Sequence, residues 1–364
     1  RVNYWTGDLC RRFEEEFAAY VGTRYAVALA NGTLALDVAL KALGIGPGDD
    51  VIVTPRTFIA SVSSVALAGA RPVFADVDRE TQTITAATIA AVLTPRTKAV
   101  IPVHLAGLPC DMDPIMALAR ERGLFVIEDC AQAHGATYKG RSVGAIGDIG
   151  AWSFCQDKIM TTGGEGGMVT TNSQALWSAM WSFKDHGKSW QGVYERAHPA
   201  GPRLVHDSFG TNARMLEMQA AIGLVQLKRM PQWLARRGEI AGRIAAALRR
   251  HDTVRVPEVP ADAGHAYYRL YAFVRPERLA SGWSRDRIID EIVARGVPCL
   301  HGSQSEVYLE AAFEGTGWRP AQRLPVAREL GETGLAFLVH PTLTDAEVAR
   351  TCAVADEVLG LAAG

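Results

Sequence analysis

The sequence predicts a three-layer α/β domain with a mostly parallel central sheet, followed by a smaller α+β domain. Three observations predict it. Short apolar runs alternate with helical patterns over roughly the first 170 residues, which is how strands and crossover helices alternate in a parallel sheet. Those runs are apolar on both faces, as strands covered by helices on both sides must be. Beyond about residue 232 the alternation gives way to a long helical pattern and then a mixture of strands and helices. A chain of 364 residues also exceeds one ordinary core. The expected division is 1–231 for the large domain and 232–364 for a connector helix and the small domain.

Residues 8–20 read as an amphipathic helix, with Leu9, Phe13, Phe17 and Tyr20 at helical spacing. Strands are expected at Tyr25–Leu29, Val51–Thr54, Pro72–Ala75, Ala99–Val103, Leu124–Glu128, Ile149–Ser153 and Gly167–Thr171. Between them lie helix patterns at 33–43, 58–69, 86–93 and 112–122, and another follows at 173–184. The polar, glycine-bearing stretch 186–212 is long for a structureless loop and points to a functional or interface role. Helices are expected at about 214–229 and 232–250, with Pro231 as a break or first-turn residue. Strands near 267–274, 297–300 and 336–339 and helices at 285–295 and 345–360 complete the chain, the last opened by a Thr344…Glu347 capping box.

Hydrophobic residues make up 48% and charged residues 21%, the balance of a globular enzyme. The formal net charge is -1 without long runs of one sign, so neither nucleic acid nor an anionic membrane is the expected partner. The six cysteines form no CxxC pair, which argues against a disulfide framework and a structural zinc site; no metal is expected. No segment reaches the roughly 18 apolar residues of a membrane helix. Residues 1–7 lack the apolar stretch of a secretory leader. A cytoplasmic location is expected.

In open α/β sheets ligands gather beyond the carboxyl ends of the strands, and four unusual groups fall there. Asn31-Gly32-Thr33 lies between a strand and the next helix, where a glycine admits close backbone approach and helix N–H groups face an anion. A simple helix cap reads equally well. Asp129, in Glu128-Asp129-Cys130-Ala131-Gln132-Ala133-His134, ends a buried strand, where a carboxylate needs a partner. A protonated pyridine nitrogen is one such partner; a turn or an arginine is another. Gln132 stands close enough to reach a ring oxygen of the same ligand. Lys158 follows Trp152-Ser153-Phe154 and precedes Thr161-Thr162-Gly163-Gly164-Glu165-Gly166-Gly167. Desolvation there would favour the neutral amine needed for Schiff-base chemistry, whereas a P-loop would place its lysine after the glycines. Taken alone, Lys158 reads as a solvated side chain. Phe58, after Thr54-Pro55-Arg56-Thr57, offers a face to a flat ring or to the core.

Taken in order, these residues resemble the DegT/DnrJ/EryC1/StrS family of sugar aminotransferases. The resemblance runs through Asn31-Gly32-Thr33-Leu34-Ala35-Leu36, Pro102-Val103-His104-Leu105, the 128–136 stretch, the Trp152…Lys158…Gly167 stretch and Gly210-Thr211-Asn212-Ala213-Arg214-Met215. It implies the fold-type I architecture of pyridoxal 5'-phosphate (PLP) enzymes, like that of aspartate aminotransferase. It further implies Lys158 as Schiff-base lysine and proton shuttle, Asp129 on the pyridine nitrogen, and Gln132 on the ring oxygen. Gly32, Thr33 and Ser153 would form the phosphate cup, Phe58 would stack, and Asn212 would reach the phosphate of a neighbouring subunit. The active site would then be shared across a homodimer. For Asn212 a local helix cap is the other reading. Four residues are placed near the substrate: His104, Lys188, His301 and Tyr308.

The function the resemblance implies is a PLP-dependent transaminase of deoxyaminosugar biosynthesis. It would move an amino group, with glutamate as donor, to the keto group of a nucleotide-linked deoxysugar by a ping-pong cycle through pyridoxamine 5'-phosphate. Lys158, rather than the histidine found in dehydrating members, favours transamination. Two alternatives remain open: a ketocyclitol (scyllo-inosose type) substrate of aminoglycoside assembly, and a non-catalytic PLP-binding regulator. A nicotinamide dehydrogenase would need a GxGxxG turn after the first strand, which is absent.

Overall fold

The computed structural model describes residues 7–199, 201 and 203–364. Most of the opening stretch read for a leader, residues 1–6, lies outside them, as do residues 200 and 202 of the polar loop. In chain order the first elements are α1 (Leu9–Val21), β1 (Tyr25–Leu29), α2 (Gly32–Ala42), β2 (Asp50–Val53), α3 (Ala60–Leu67) and β3 (Arg71–Phe74). Next come α4 (Ala86–Ala90), β4 (Thr97–Ile101), α5 (Met112–Arg122), β5 (Phe125–Asp129), β6 (Thr137–Tyr138) and β7 (Arg141–Ser142). They are followed by β8 (Ile149–Ser153), β9 (Gly167–Thr171), α6 (Gln174–Lys184), α7 (Trp190–Tyr194), α8 (Glu217–Leu227) and α9 (Met230–Leu248). The rest comprises β10 (Val254–Arg255), β11 (Ala263–Gly264), β12 (Leu270–Val274), α10 (Arg285–Ala294), β13 (Cys299–Leu300), α11 (Pro325–Thr333), β14 (Gly334–Phe337) and α12 (Asp345–Ala362).

The central sheet has seven strands in the order β1-β9-β8-β5-β4-β2-β3. β9 runs antiparallel to β1 and β8, and every other adjacent pair is parallel. Alternate residues face opposite layers, as the strand pleat requires. Val51, Val53, Ala99, Ile101 and Ile127 pack with α2 and α3, whereas Ile52, Val100 and Val126 pack with α5. Toward the other edge Ala26, Ala28, Trp152 and Met168 meet α1 and α8. This two-sided burial is why the strands read as unbroken apolar runs.

The second sheet is antiparallel throughout, in the order β10-β12-β14-β13. Its core with α9, α10 and α12 draws only on residues from Ile240 onward. Pro231 falls in the first turn of α9, where its missing N–H costs nothing. The Thr344 cap is present: Thr344 Oγ1 accepts the Glu347 N–H at 3.3 Å and Glu347 Oε2 accepts the Thr344 N–H at 2.8 Å.

Differences from the sequence reading cluster where the two halves meet. β12 starts at Leu270 rather than 267, because the Ala266 and Tyr268 N–H groups bond to Gly107 and Ala106 carbonyls of the large domain. Tyr267 between them has φ 49°, which no strand allows. A three-stranded sheet, β11-β6-β7, also joins the halves. α11 has no counterpart in the sequence reading. Among the described residues no helix is long and apolar enough to cross a membrane.

Candidate active site

β5 and β8 are parallel neighbours, Asp129 opposite Ala151, so Asp129 and Ser153 emerge at the same edge of the sheet. α2 begins beside them. Asn31 Oδ1 caps this helix by accepting the Leu34 N–H at 2.9 Å, and the N–H groups of Gly32 and Thr33 have no acceptor within the helix. A Cβ on Gly32 would lie 2.5 Å from Ser153 Cβ, so only glycine lets the helix start approach that side chain. Ser153 Oγ accepts the Cys155 N–H at 3.4 Å and keeps its own hydrogen to donate. Two backbone donors and a hydroxyl thus converge at a helix N-terminus, the donor set a phosphate requires.

Asp129 is buried. Its Oδ2 accepts from Ser61 Oγ at 2.7 Å and its Oδ1 from the Ala131 N–H at 3.1 Å. Burial pushes its carboxyl up; Ser61, the Ala131 N–H and the charge of Lys158 only partly offset this. A raised, buried carboxyl is the kind that gains from a cationic ligand. Gln132 Oε1 accepts the Ala106 N–H at 2.8 Å, which orients its amide and directs the NH2 elsewhere. Phe58 is 67% exposed and packs on no core. Ser61, three residues on, ties its segment to Asp129.

Lys158 lies in the turn after β8 with its side chain 16% exposed. Its Nζ is 3.4 Å from Asp157 Oδ1 and 5.2 Å from the ring centre of Tyr268. Tyr268 comes from the C-terminal half, and its hydroxyl donates to Asp157 Oδ2 at 2.5 Å. Burial pushes the Asp157 carboxyl up, but the Tyr268 hydroxyl and the Lys158 charge win and hold it low. The donor set, the buried carboxylate and the half-shielded lysine match the phosphate, pyridine nitrogen and aldehyde of PLP.

Comparison with known proteins decides the family. Residues 2–355 match the model of the DegT/DnrJ/EryC1/StrS aminotransferase family. The chain belongs to this family. It is 40% identical to GDP-perosamine synthase of Caulobacter vibrioides over 352 residues, covering 95% of this chain and 89% of that protein. It is also similar to the crystal structure of an aminotransferase from Psychrobacter cryohalolentis, with 62% identity, a TM-score of 0.97 and coverage of 98% and 93%. The putative sugar aminotransferase Spr1654 of Streptococcus pneumoniae, solved in PLP and PMP forms, aligns at 26% identity with TM-scores of 0.86 and 0.88. The alignments cover 99% and 98% of this chain and 93% of that one. The protein is therefore a PLP-dependent aminotransferase of the fold expected from the sequence.

Within that family frame, the structure brings Gly32, Thr33 and Ser153 together at one edge. Two expected substrate contacts are corrected. His104 is fully buried, with Nδ1 accepting the Cys110 N–H at 3.0 Å and Nε2 3.0 Å from Glu128 Oε2. Nδ1 is thus the acceptor and Nε2 carries the proton. Both nitrogens are committed, so His104 has nothing to offer a substrate, and for the same reason the His104–Glu128–Cys130 group has no free lone pair on its histidine for a metal. Tyr308 is 2% exposed in the core beside Phe74; its hydroxyl donates to Glu306 at 2.5 Å and accepts the Leu324 N–H at 2.9 Å. His301 is exposed and pairs with Asp286 of α10 at 3.3 Å. Lys188 Nζ donates to Asp185 at 3.1 Å. Asn212 is exposed in the extended segment before α8, whose first turn starts at Glu217, so it caps no helix.

The sequence reading missed Ser61, Thr57, Asp157 and Tyr268. Serines and threonines at helix starts are too common to stand out, and Tyr268 lay inside an apparent strand.

Proposed function

We propose that the protein transfers an amino group from glutamate to the keto group of a nucleotide-linked deoxysugar. The observation that carries the reading is the convergence of Lys158, Asp129 and the Gly32–Ser153 cradle at one sheet edge, in a family whose relatives include GDP-perosamine synthase. PLP, when bound, supplies an electron sink for the pair left by a broken C–H bond. Lys158 is the amine that would hold the cofactor and, when free, would serve as the acid–base group for the proton at the donor's Cα. Asp129 would hold a proton on the ring nitrogen. The N–H groups of Gly32 and Thr33 and the Ser153 hydroxyl would bind the phosphate. The NH2 of Gln132 would serve the ring oxygen, and Phe58 would offer its face to the ring. All of these residues belong to the 1–231 segment, the proposed large domain.

The site is completed by a second copy of the chain. α8 exposes Met218, Ile222 and Val225 at 58%, 39% and 54%, at the i, i+4, i+7 spacing of one helix face. Phe209 is fully exposed, three residues before Asn212. An apolar stripe of this kind is a protein interface by default, and Asn212 beside it reaches the partner's phosphate. A monomer in sedimentation with full activity would overturn this. Lys188 and His301 stand as candidate contacts to the sugar nucleotide.

Lys158→Ala is expected to abolish both turnover and the visible absorbance of the lysine-bound cofactor. Retention of either sinks the assignment. Assay of nucleotide-linked ketosugars against keto-inositols separates the proposed substrate from a ketocyclitol, and turnover of neither leaves the regulatory reading.

A further inference from the structure

Ser61 sits in the first turn of α3, 2% exposed, with Oγ donating to Asp129 Oδ2 at 2.7 Å. Thr57 Oγ1 is 2.8 Å from the same Oγ. A serine hydroxyl carries one hydrogen, and an ionised carboxylate only accepts. The Ser61 hydrogen is committed to Asp129, so the other bond must run from Thr57 to Ser61. The two hydroxyls form a chain of fixed direction, Thr57 to Ser61 to Asp129, in which each bond polarises the next.

This chain is held from outside the large domain. The Thr57 N–H donates to the Gln304 carbonyl at 3.1 Å, and the Val307 N–H donates to the Pro55 carbonyl at 3.0 Å. Between them Arg56, fully buried, donates to Ser305 Oγ at 2.9 Å and to Gln82 Oε1 at 3.0 Å. Its guanidinium faces the Tyr271 ring at 5.2 Å. A buried arginine without a carboxylate partner costs stability, which neutral hydrogen bonds and a ring face only partly offset. The 54–58 segment is thus fixed firmly on the C-terminal residues 304–307, and the hydroxyl chain it carries has little freedom to turn away from Asp129.

We propose that Ser61, oriented by Thr57, is a positioning residue that fixes the Asp129 carboxylate on the ring nitrogen of the cofactor throughout turnover. The proposal rests on Asp129 being the ring-nitrogen partner. Other charged or titratable groups face Asp129 as well: Lys158 from the turn after β8, His104 from the turn after β4, and Cys130 beside it on the chain. None of the three gives a hydrogen bond to either carboxylate oxygen; Ser61 and the Ala131 N–H do. Removing Ser61 therefore removes one of two bonds that keep the buried carboxylate ionised. A neutral Asp129 no longer holds the ring proton, so the loss appears at the acid end of the pH range.

The test compares Ser61→Ala, Ser61→Thr and Asp129→Asn as holoenzymes. It reads the pH titration of the cofactor's visible band alongside kcat and KM for the donor. Ser61→Ala should move the acid limb of both the band and kcat upward by about one pH unit, the size of one hydrogen bond to a charged group. kcat should fall about tenfold with KM unchanged and the thermal midpoint lowered slightly, since a buried carboxylate loses a donor, and Ser61→Thr, which keeps the hydroxyl, should restore the limb and kcat. A purely structural serine would lower the thermal midpoint and leave the band's titration where it was. If Asp129→Asn alters the band and Ser61→Ala does not, the positioning role is overturned while Asp129 keeps its assignment. If Asp129→Asn leaves the band unchanged, the Asp129 assignment itself fails. Should Ser61→Ala not fold, Thr57→Val keeps Ser61 in place; it should shift the limb in the same direction by a smaller amount, and no shift overturns the proposal.

Discussion

Glu128 and Asp129 are consecutive residues of one strand, they point to opposite faces, and both are buried, yet they do different things. The Glu128 carboxylate accepts from the Ile146 and Gly147 N–H groups at 2.8 and 2.7 Å and pairs with His104 at 3.0 Å. Burial pushes it up, but His104 and these backbone donors hold it below the usual glutamate range. Asp129 has only Ser61 and the Ala131 N–H, and burial leaves it above the usual aspartate range. A carboxylate offers about four acceptor sites. The chain fills three of those on Glu128 and two on Asp129. Depth of burial does not separate the structural acid from the proposed functional one here; what separates them is whether the protein itself supplies most of the donors or leaves room for a ligand to do so.

The comparison can be broken by substituting the two residues in turn. Asp129→Asn should lower kcat by about 10²–10³-fold, the usual cost of losing one electrostatic group at the reacting centre. It should not lower the stability of the cofactor-free protein. An aspartate whose folded pKa is raised withdraws stability as pH climbs from its unfolded value, about 3.9, through the raised one. Asparagine removes that loss, so the urea midpoint at pH 7 should be unchanged or higher. Glu128→Ala should do the reverse. A glutamate whose folded pKa is lowered adds stability that is present above its unfolded value, about 4.3, and is lost as pH falls through the lowered one. Its removal leaves the His104 Nε2–H and two backbone N–H groups buried without an acceptor, at about 1–3 kcal/mol for each, read as a lower urea midpoint at pH 7. The spectrum and turnover of the folded fraction should remain. If Asp129→Asn unfolds the protein while Glu128→Ala abolishes catalysis in a stable one, the two roles have been assigned the wrong way round.

This contrast also marks what the sequence could show. The main sheet was legible because its strands are buried on both faces and so read as unbroken apolar runs, as in Val51–Val53 and Ile149–Ser153. Lys158, Asp129 and Gly32 stood out as candidates because lysine, aspartate and glycine are conspicuous at strand ends. His104 was misplaced because a histidine at a strand end looks the same whether it meets a substrate or a neighbouring carboxylate; only the Cys110 N–H and Glu128 on its two nitrogens tell them apart. Tyr308 failed for the same reason, with Glu306 and the Leu324 N–H in place of a sugar. Ser61 and Tyr268 were invisible because their partners lie 68 and 111 residues away. Such pairings are made by the fold and leave no local pattern.

Tyr268 offers the smallest and most discriminating change. It lies across the domain junction from Lys158 and contributes two separable features, a ring face 5.2 Å from Nζ and a hydroxyl on Asp157. Tyr268→Phe keeps the face and deletes the hydroxyl. Asp157, held low by that hydroxyl together with Lys158, should then move toward the ordinary aspartate range and lose its charge at a higher pH than in the parent. At pH 7 it is still ionised but free to rotate, so kcat should fall only about 3–10-fold, with cofactor affinity unchanged. Tyr268→Leu deletes both features and should cost more, since a ring beneath an ammonium adds about 0.5–1 kcal/mol of its own. The order Tyr, Phe, Leu in kcat at constant KM would show that the C-terminal half orients the lysine as well as enclosing it. Equal rates for all three would leave Lys158 positioned by the large domain alone, through Asp157 and the turn that carries it.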